Sequence, residues 1–369
     1  MRSKGSNILA KLSTMVAFVL VVSLSGCGGG PSSNKPELLY AISNTEVMTF
    51  SINPATGVLS TAATVAPNQG AVSGMAATSS ARFLYIPDAM RSEIEEFSIN
   101  HTTGALTPIA DSPFLLGSDF LPYGLAVDPK NRFLYSTNLL GSIAGLAIDD
   151  NTGALSEIPG SPFPAGAGTD QVAVDPLGRF VYATNQADPL GSISGYAINS
   201  SDGALTPVPG SPFPTFTNSS PVGIVIDSRG MFLYVGVSDG IAAFSIDGTS
   251  GRLVAVPGSP FPGGAFPMQM SLHPSGRFLY VINNEESAIT VFSVDSVTGS
   301  LTLVSRVVAG NIAYGIAIDP SGKFLYAADP GSNCIRGFSL DEATGIPAVF
   351  SGPPFAAEGP DELMIVQAP

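Results

Sequence analysis

A three-residue phrase ending in tyrosine recurs seven times along the chain, and nothing else in the sequence restricts the fold as strongly. Its copies are Leu38-Leu39-Tyr40, Phe83-Leu84-Tyr85, Phe133-Leu134-Tyr135, Phe180-Val181-Tyr182, Phe232-Leu233-Tyr234, Phe278-Leu279-Tyr280 and Phe324-Leu325-Tyr326. The tyrosines step by 45, 50, 47, 52, 46 and 46 residues. A turn glycine keeps the same beat at Gly57, Gly104, Gly153, Gly203, Gly251, Gly299 and Gly345. Self-similarity at this period marks a repeat architecture, in which each unit buries its apolar faces only against its neighbours.

One repeat reads as four strands. Tyr123–Val127 is a short apolar run, Asp128-Pro129-Lys130-Asn131 a turn, and Arg132–Thr137 a second run holding the Phe-Leu-Tyr phrase. Ser142–Ile148 is the third strand, Asn151-Thr152-Gly153 a turn whose glycine accepts positive φ, and Ala154–Ile158 the start of the fourth. The first two strands are apolar at nearly every position, whereas a strand with one wet face alternates. Burial on both faces is what a blade between two other blades requires. Seven four-stranded blades around an axis make an all-β, seven-bladed β-propeller, which leaves only short, protected sheet edges. The first tyrosine phrase lacks a strand before it and the last run, Asp361–Val366, lacks one after it. The C-terminal strand is therefore expected to complete the N-terminal blade.

Three segments follow: residues 1–26 as a lipoprotein signal peptide, 27–36 as a tether, and 37–369 as one propeller. Arg2, Lys4 and Lys11 precede the apolar stretch Leu12–Leu24, which is too short to span a bilayer comfortably. Leu24-Ser25-Gly26-Cys27 resembles a bacterial lipobox. That resemblance implies acylation of Cys27, a membrane anchor, and a place in the cell envelope on the periplasmic or outer-membrane side. Without the signal the chain has 12 basic and 29 acidic residues, a net −17. Such a surface repels phosphate backbones and argues against nucleic acid as a partner. The expected state is a monomer.

Comparing repeats inside the chain separates two faces. The connections after the first and third strands hold their length, while those after the second and fourth vary, as at Asn185–Gly191 and Asn283–Ser287. Variable loops on a rigid scaffold are where binding usually sits, so this face is expected to take a small-molecule or protein ligand. The two histidines, His101 and His273, fall in the constant turns, which leaves the variable face without an imidazole. Its candidate mouth residues are Asp119, Asp170, Gln269, Asn284, Glu285, Asp329 and Asp361. A carboxylate ring there could bind a hard cation such as Ca²⁺; no other cofactor is expected.

Blades such as Gly315-Ile316-Ala317-Ile318-Asp319-Pro320-Ser321-Gly322-Lys323-Phe324-Leu325-Tyr326 resemble the lactonase family of seven-bladed propellers, which includes 6-phosphogluconolactonases. The resemblance spans residues 37–369. Active relatives carry a Gly-Pro-Arg-His-like stretch where this chain has Phe266-Pro267-Met268-Gln269, Asn-Glu where it has Asn283-Asn284 with Glu285 one place later, and a histidine where it has Asp170. What the resemblance implies is thus a ligand- or protein-binding scaffold lacking the family's Arg/His site, with hydrolysis of a sugar-derived lactone as the alternative.

Overall fold

The repeats fold into seven antiparallel sheets. The computed structural model describes residues 37–43, 45–65, 74–188, 191–216, 219–238, 240–264 and 266–367, and Cys27 lies outside them. Blade 1 holds Glu37–Ile42, Val47–Ile52 and Leu59–Val65, and its innermost strand is the C-terminal Glu362–Gln367. Glu37 pairs with Gln367 and Ile42 with Glu362, so the two ends of the chain share one sheet as expected. Blades 2 to 7 follow in chain order. The second strand of each is buried end to end. Among the described residues the only helical piece is the turn Pro330–Ser332.

The two repeated sequence phrases are bonded to one another. Each tyrosine hydroxyl donates to the carbonyl of the turn glycine one blade further on: Tyr85 to Gly153 (2.8 Å), Tyr135 to Gly203 (2.8 Å), Tyr182 to Gly251 (2.7 Å) and Tyr280 to Gly345 (2.8 Å). Tyr40 reaches Gly104 and Tyr234 reaches Gly299. Tyr326 closes the circle on Gly57 (2.7 Å), a partner 269 residues back in the chain. All seven tyrosines are fully buried. A buried phenol needs such a partner, because an unpaired hydroxyl costs more than the bond returns.

The glycine is required twice over. Gly203 has φ +79°, and a Cβ there would stand 2.6 Å from the Phe133 ring of the preceding blade; Gly345 has φ +71° and meets Phe278 at the same distance. In six of the seven joints the phenylalanine of the phrase packs on the glycine that its tyrosine bonds, two residues along the same strand; at Gly104 Leu38 and Thr49 take that place.

Side chains in the constant turns reinforce the joints. Asp175 Oδ1 accepts the Phe180 amide (3.0 Å) and Asp227 Oδ1 accepts that of Phe232 (2.8 Å), which fixes the start of the second strand. Arg82 and Arg277 lie over the rings of Phe83 and Phe278 and donate to the turn carbonyls of Asn151 and Ala343 in the next blade. His273 does similar work: its Nε2 lies 2.9 Å from the Gly322 carbonyl oxygen of blade 7, and burial lowers its pKa. The repeated Ser-Pro-Phe has a role inside the blade as well as between blades. Ser112, Ser161, Ser211 and Ser259 each accept a backbone amide from the third strand of their own sheet, while Phe163 and Phe213 pack in a cluster shared with the following blades.

The ring makes stability measurable joint by joint. Phe278→Ala is expected to cost about 3–5 kcal/mol through the cavity it leaves. Tyr326→Phe strips the Gly57 carbonyl of its donor and is expected to cost about 1–2 kcal/mol. Urea denaturation of each variant reads both, and unchanged midpoints would sink the role given to these joints.

Candidate functional site

The variable connections form one end of the propeller, the loop face, and the constant turns form the other, the turn face. On the loop face the innermost strands begin with a disturbed register. The pairing shifts between Thr169 and Val172, and again between Pro267 and Met270. Such bulges re-aim side chains at the rim of a sheet. The residues released are Asp170-Gln171 in blade 4 and Met268-Gln269 in blade 6.

Aligning the innermost strands on the partner of each tyrosine places one residue per blade at a common level, two positions before that partner. Around the ring these are Glu362, Gly74, Gly124, Gln171, Gly223, Gln269 and Gly315. At the glycines the next blade comes so close that no side chain fits: a Cβ on Gly124 would stand 2.7 Å from the Asp170 carbonyl oxygen, and one on Gly315 2.7 Å from that of Asp361. Gln269 and Glu362 reach toward the backbone amide that follows the glycine of the next blade, Ile316 and Met75 respectively. Gln269 shows the contact complete, its Oε1 accepting the Ile316 amide of blade 7 (2.5 Å). Gln171 is fully buried; apart from its pull on the neighbouring Asp170, neither end of its amide has a partner of normal geometry, and nor does either Glu362 oxygen.

Burial decides the charge of the acids here. Asp170 is 1 % exposed; its Oδ2 accepts from the Gln186 side chain and its Oδ1 has no partner. Loss of solvent raises its pKa to about 8, against the opposing pull of Gln171 and Gln186. The same cause lifts Asp361 to about 6 and drives Glu362 well above the usual carboxylate range, the latter opposed by the nearby Met75 amide. At neutral pH Asp170 thus favours the carboxylic acid, able to donate as well as accept.

The seven expected mouth residues divide. Asp170, Gln269 and Asp361 lie buried at the starts of innermost strands. Asn284 is half-buried and donates to the Ala313 carbonyl of blade 7 (3.4 Å). Asp119 and Glu285 stand exposed on separate loops. Asp329 has turned inward. Burial alone would raise its pKa, but the Ile312 and Asn311 amides and Arg336 (3.1 Å) outweigh it and hold the carboxylate below its ordinary value. The expected carboxylate ring is not assembled: among the described residues no three Asp, Glu, His or Cys side chains gather to hold an ion. Gln171, Gln186 and Glu362 were missing from the expected set. The available signal was internal: Gln171 and Glu362 are polar where other repeats carry glycine.

A sequence profile of the family described as "Lactonase, 7-bladed beta-propeller" matches residues 122–314 and 256–365. The chain belongs to the seven-bladed β-propeller lactonase family. Among solved structures, the periplasmic gluconolactonase PpgL of Pseudomonas aeruginosa is similar at TM-score 0.76 and 20% identity, over 91% of this chain and 99% of that one. A candidate 6-phosphogluconolactonase of Bacteroides uniformis gives TM-score 0.76 and 20% identity over 90% and 100%, and a Lactobacillus plantarum protein 0.73 and 17% over 90% and 99%. At these identities the likeness establishes shared fold alone. No protein with a curated description matches the sequence.

The buried acid of this lactonase-family propeller predicts a pH dependence. In the unfolded chain Asp170 is deprotonated above about pH 4, whereas the folded chain keeps its proton up to about 8. Folding takes up a proton within that window, so stability falls as pH rises through it. Asp170→Asn is expected to remove this contribution, leaving the variant more stable than the parent near pH 8 by several kcal/mol and little different near pH 4. Denaturation midpoints across that range test it; parallel curves would refute the buried-acid reading.

Proposed function

We propose that the protein is an envelope-anchored binding propeller whose loop face takes an uncharged, polyhydroxylated ligand of the sugar or sugar-lactone class, without a phosphate. The observation that carries this reading is the state of the cations. Arg91, Arg306 and Arg336 are the only lysines or arginines on the loop half among the described residues. Each is engaged by a carboxylate: Asp88 at 3.0 Å, Glu286 at 3.1 Å and Asp329 at 3.1 Å. A phosphorylated sugar would meet exposed Asp119 and Glu285 with no uncommitted guanidinium to offset its charge. Neutral amides and protonated acids with unfilled hydrogen-bonding capacity suit hydroxyl groups instead.

Lactone hydrolysis is the second reading. Family membership supports it, as does the Asp361 carboxyl, whose pKa of about 6 suits a general base near neutral pH. The two histidines lie in turns of the turn face, at the other end of the propeller.

Thermal shifts of residues 28–369 with glucono-lactone, gluconate and their 6-phosphates separate the readings. Stabilisation by the unphosphorylated compounds alone is expected, since a ligand at a hundred times its Kd adds about 2.7 kcal/mol. Preferential stabilisation by the phosphorylated compounds would falsify the proposal. A lactone hydrolysis rate proportional to enzyme and lost in Asp361→Asn would establish the second reading; a rate independent of enzyme supports the first.

A further inference from the structure

The sheet pairing fixes the end of the propeller from which the chain emerges. Glu37 opens the second strand of blade 1, and second strands run from the turn face to the loop face. Its electrostatic neighbours, Asp319 and Lys323, belong to the constant turn of blade 7. Glu37 therefore stands on the turn face.

Covalent geometry limits what the preceding segment can do. From Cys27 to Glu37 the chain can extend at most about 35 Å. A bilayer against the loop face could be reached only by passing outward beneath two strands, about 10 Å at their normal spacing, and then along a six-residue strand, about 20 Å. That route demands an almost straight chain and leaves no length for insertion. A bilayer against the turn face requires neither step.

Charge does not separate the two faces. Among the described residues the lysines and arginines outside ion pairs are Lys130, Arg252, Arg277 and Lys323. All four are exposed and stand on the turn face, beside the exposed acids Asp149, Asp202, Asp247, Asp295, Asp341 and Glu342, which are in no ion pair. The loop face exposes the unpaired acids Asp119, Glu285 and Glu358. Both faces are therefore negative to a nearby leaflet, and the length of the segment before Glu37 decides between them.

We propose that the turn face is the surface apposed to the phospholipid bilayer, and that the loop face looks away from the membrane, open to its ligand. The inference rests on the reading of Cys27 as a lipid anchor. Its test uses the full chain, processed and acylated in a bacterial host. The protein is reconstituted in phosphatidylethanolamine–phosphatidylglycerol vesicles carrying a nitroxide headgroup lipid. A fluorophore is placed on Val297→Cys, an 81 % exposed turn-face position, or on Met90→Cys, a 78 % exposed loop-face position; Cys334 is buried and is not labelled. Quenching several-fold stronger at position 297 is expected. Equal quenching, or stronger quenching at position 90, overturns the orientation while leaving the anchor intact. Mass spectrometry reads the anchor separately: a mature chain without the diacylglyceryl mass, or a Cys27→Ser protein that still floats with the vesicles, overturns the anchor reading and the orientation with it.

Discussion

Seven phenol-to-carbonyl hydrogen bonds hold one blade to the next, and the rest of the molecule depends on them. Sheet hydrogen bonds run within each blade and apolar packing has no preferred register, and the other bonds that cross between blades, such as those of Arg82, Arg277 and Gln269, differ from joint to joint. The Tyr-to-Gly bond supplies that register. It fixes the height at which neighbouring sheets meet, and the adjacent phenylalanine fixes how closely. The bond from Tyr326 to Gly57 has the same form as the other six, so the seam where the chain ends meet is built like any other joint.

With the turn face held this tightly, the loop face is free to differ from blade to blade. Around the ring of inner strands, glycines alternate with Gln171, Gln269 and Glu362, and at each glycine the backbone of the following blade comes too close for a side chain. Seven is odd, so the alternation fails once, where Gly74 is followed by Gly124. The wall next to that step meets the bulged start of blade 4, and there Asp170 and Gln171 keep their unfilled hydrogen-bonding capacity.

The chain's strong negative charge gives a misleading picture of this region when taken residue by residue. Carboxylates count equally in a composition, yet Asp170 and Glu362 lose solvent completely, which pushes both pKa values up, Asp329 is fixed by amides and an arginine, and on this face loop acids such as Glu285 present an anion to solvent. The loop face combines a neutral hydrogen-bonding interior with an acidic rim. That combination underlies the preference proposed for an uncharged polyhydroxylated ligand.

The repeat period, the doubly apolar strands and the unmatched strand at each end were sufficient to read seven blades and their closure from the sequence, because burial on both faces and a missing sheet partner are properties of local composition. The constancy of one set of turns likewise revealed which face could vary. What the sequence left open was partnership. Tyr and Gly recur with the same period whether or not they touch, and only folding brings Tyr85 to Gly153, or Tyr326 back to Gly57. Charge state was hidden for the same reason: Asp170 and Asp119 are alike as residues, and a carboxyl keeps or loses its proton according to the solvent and donors around it, which tertiary structure alone decides.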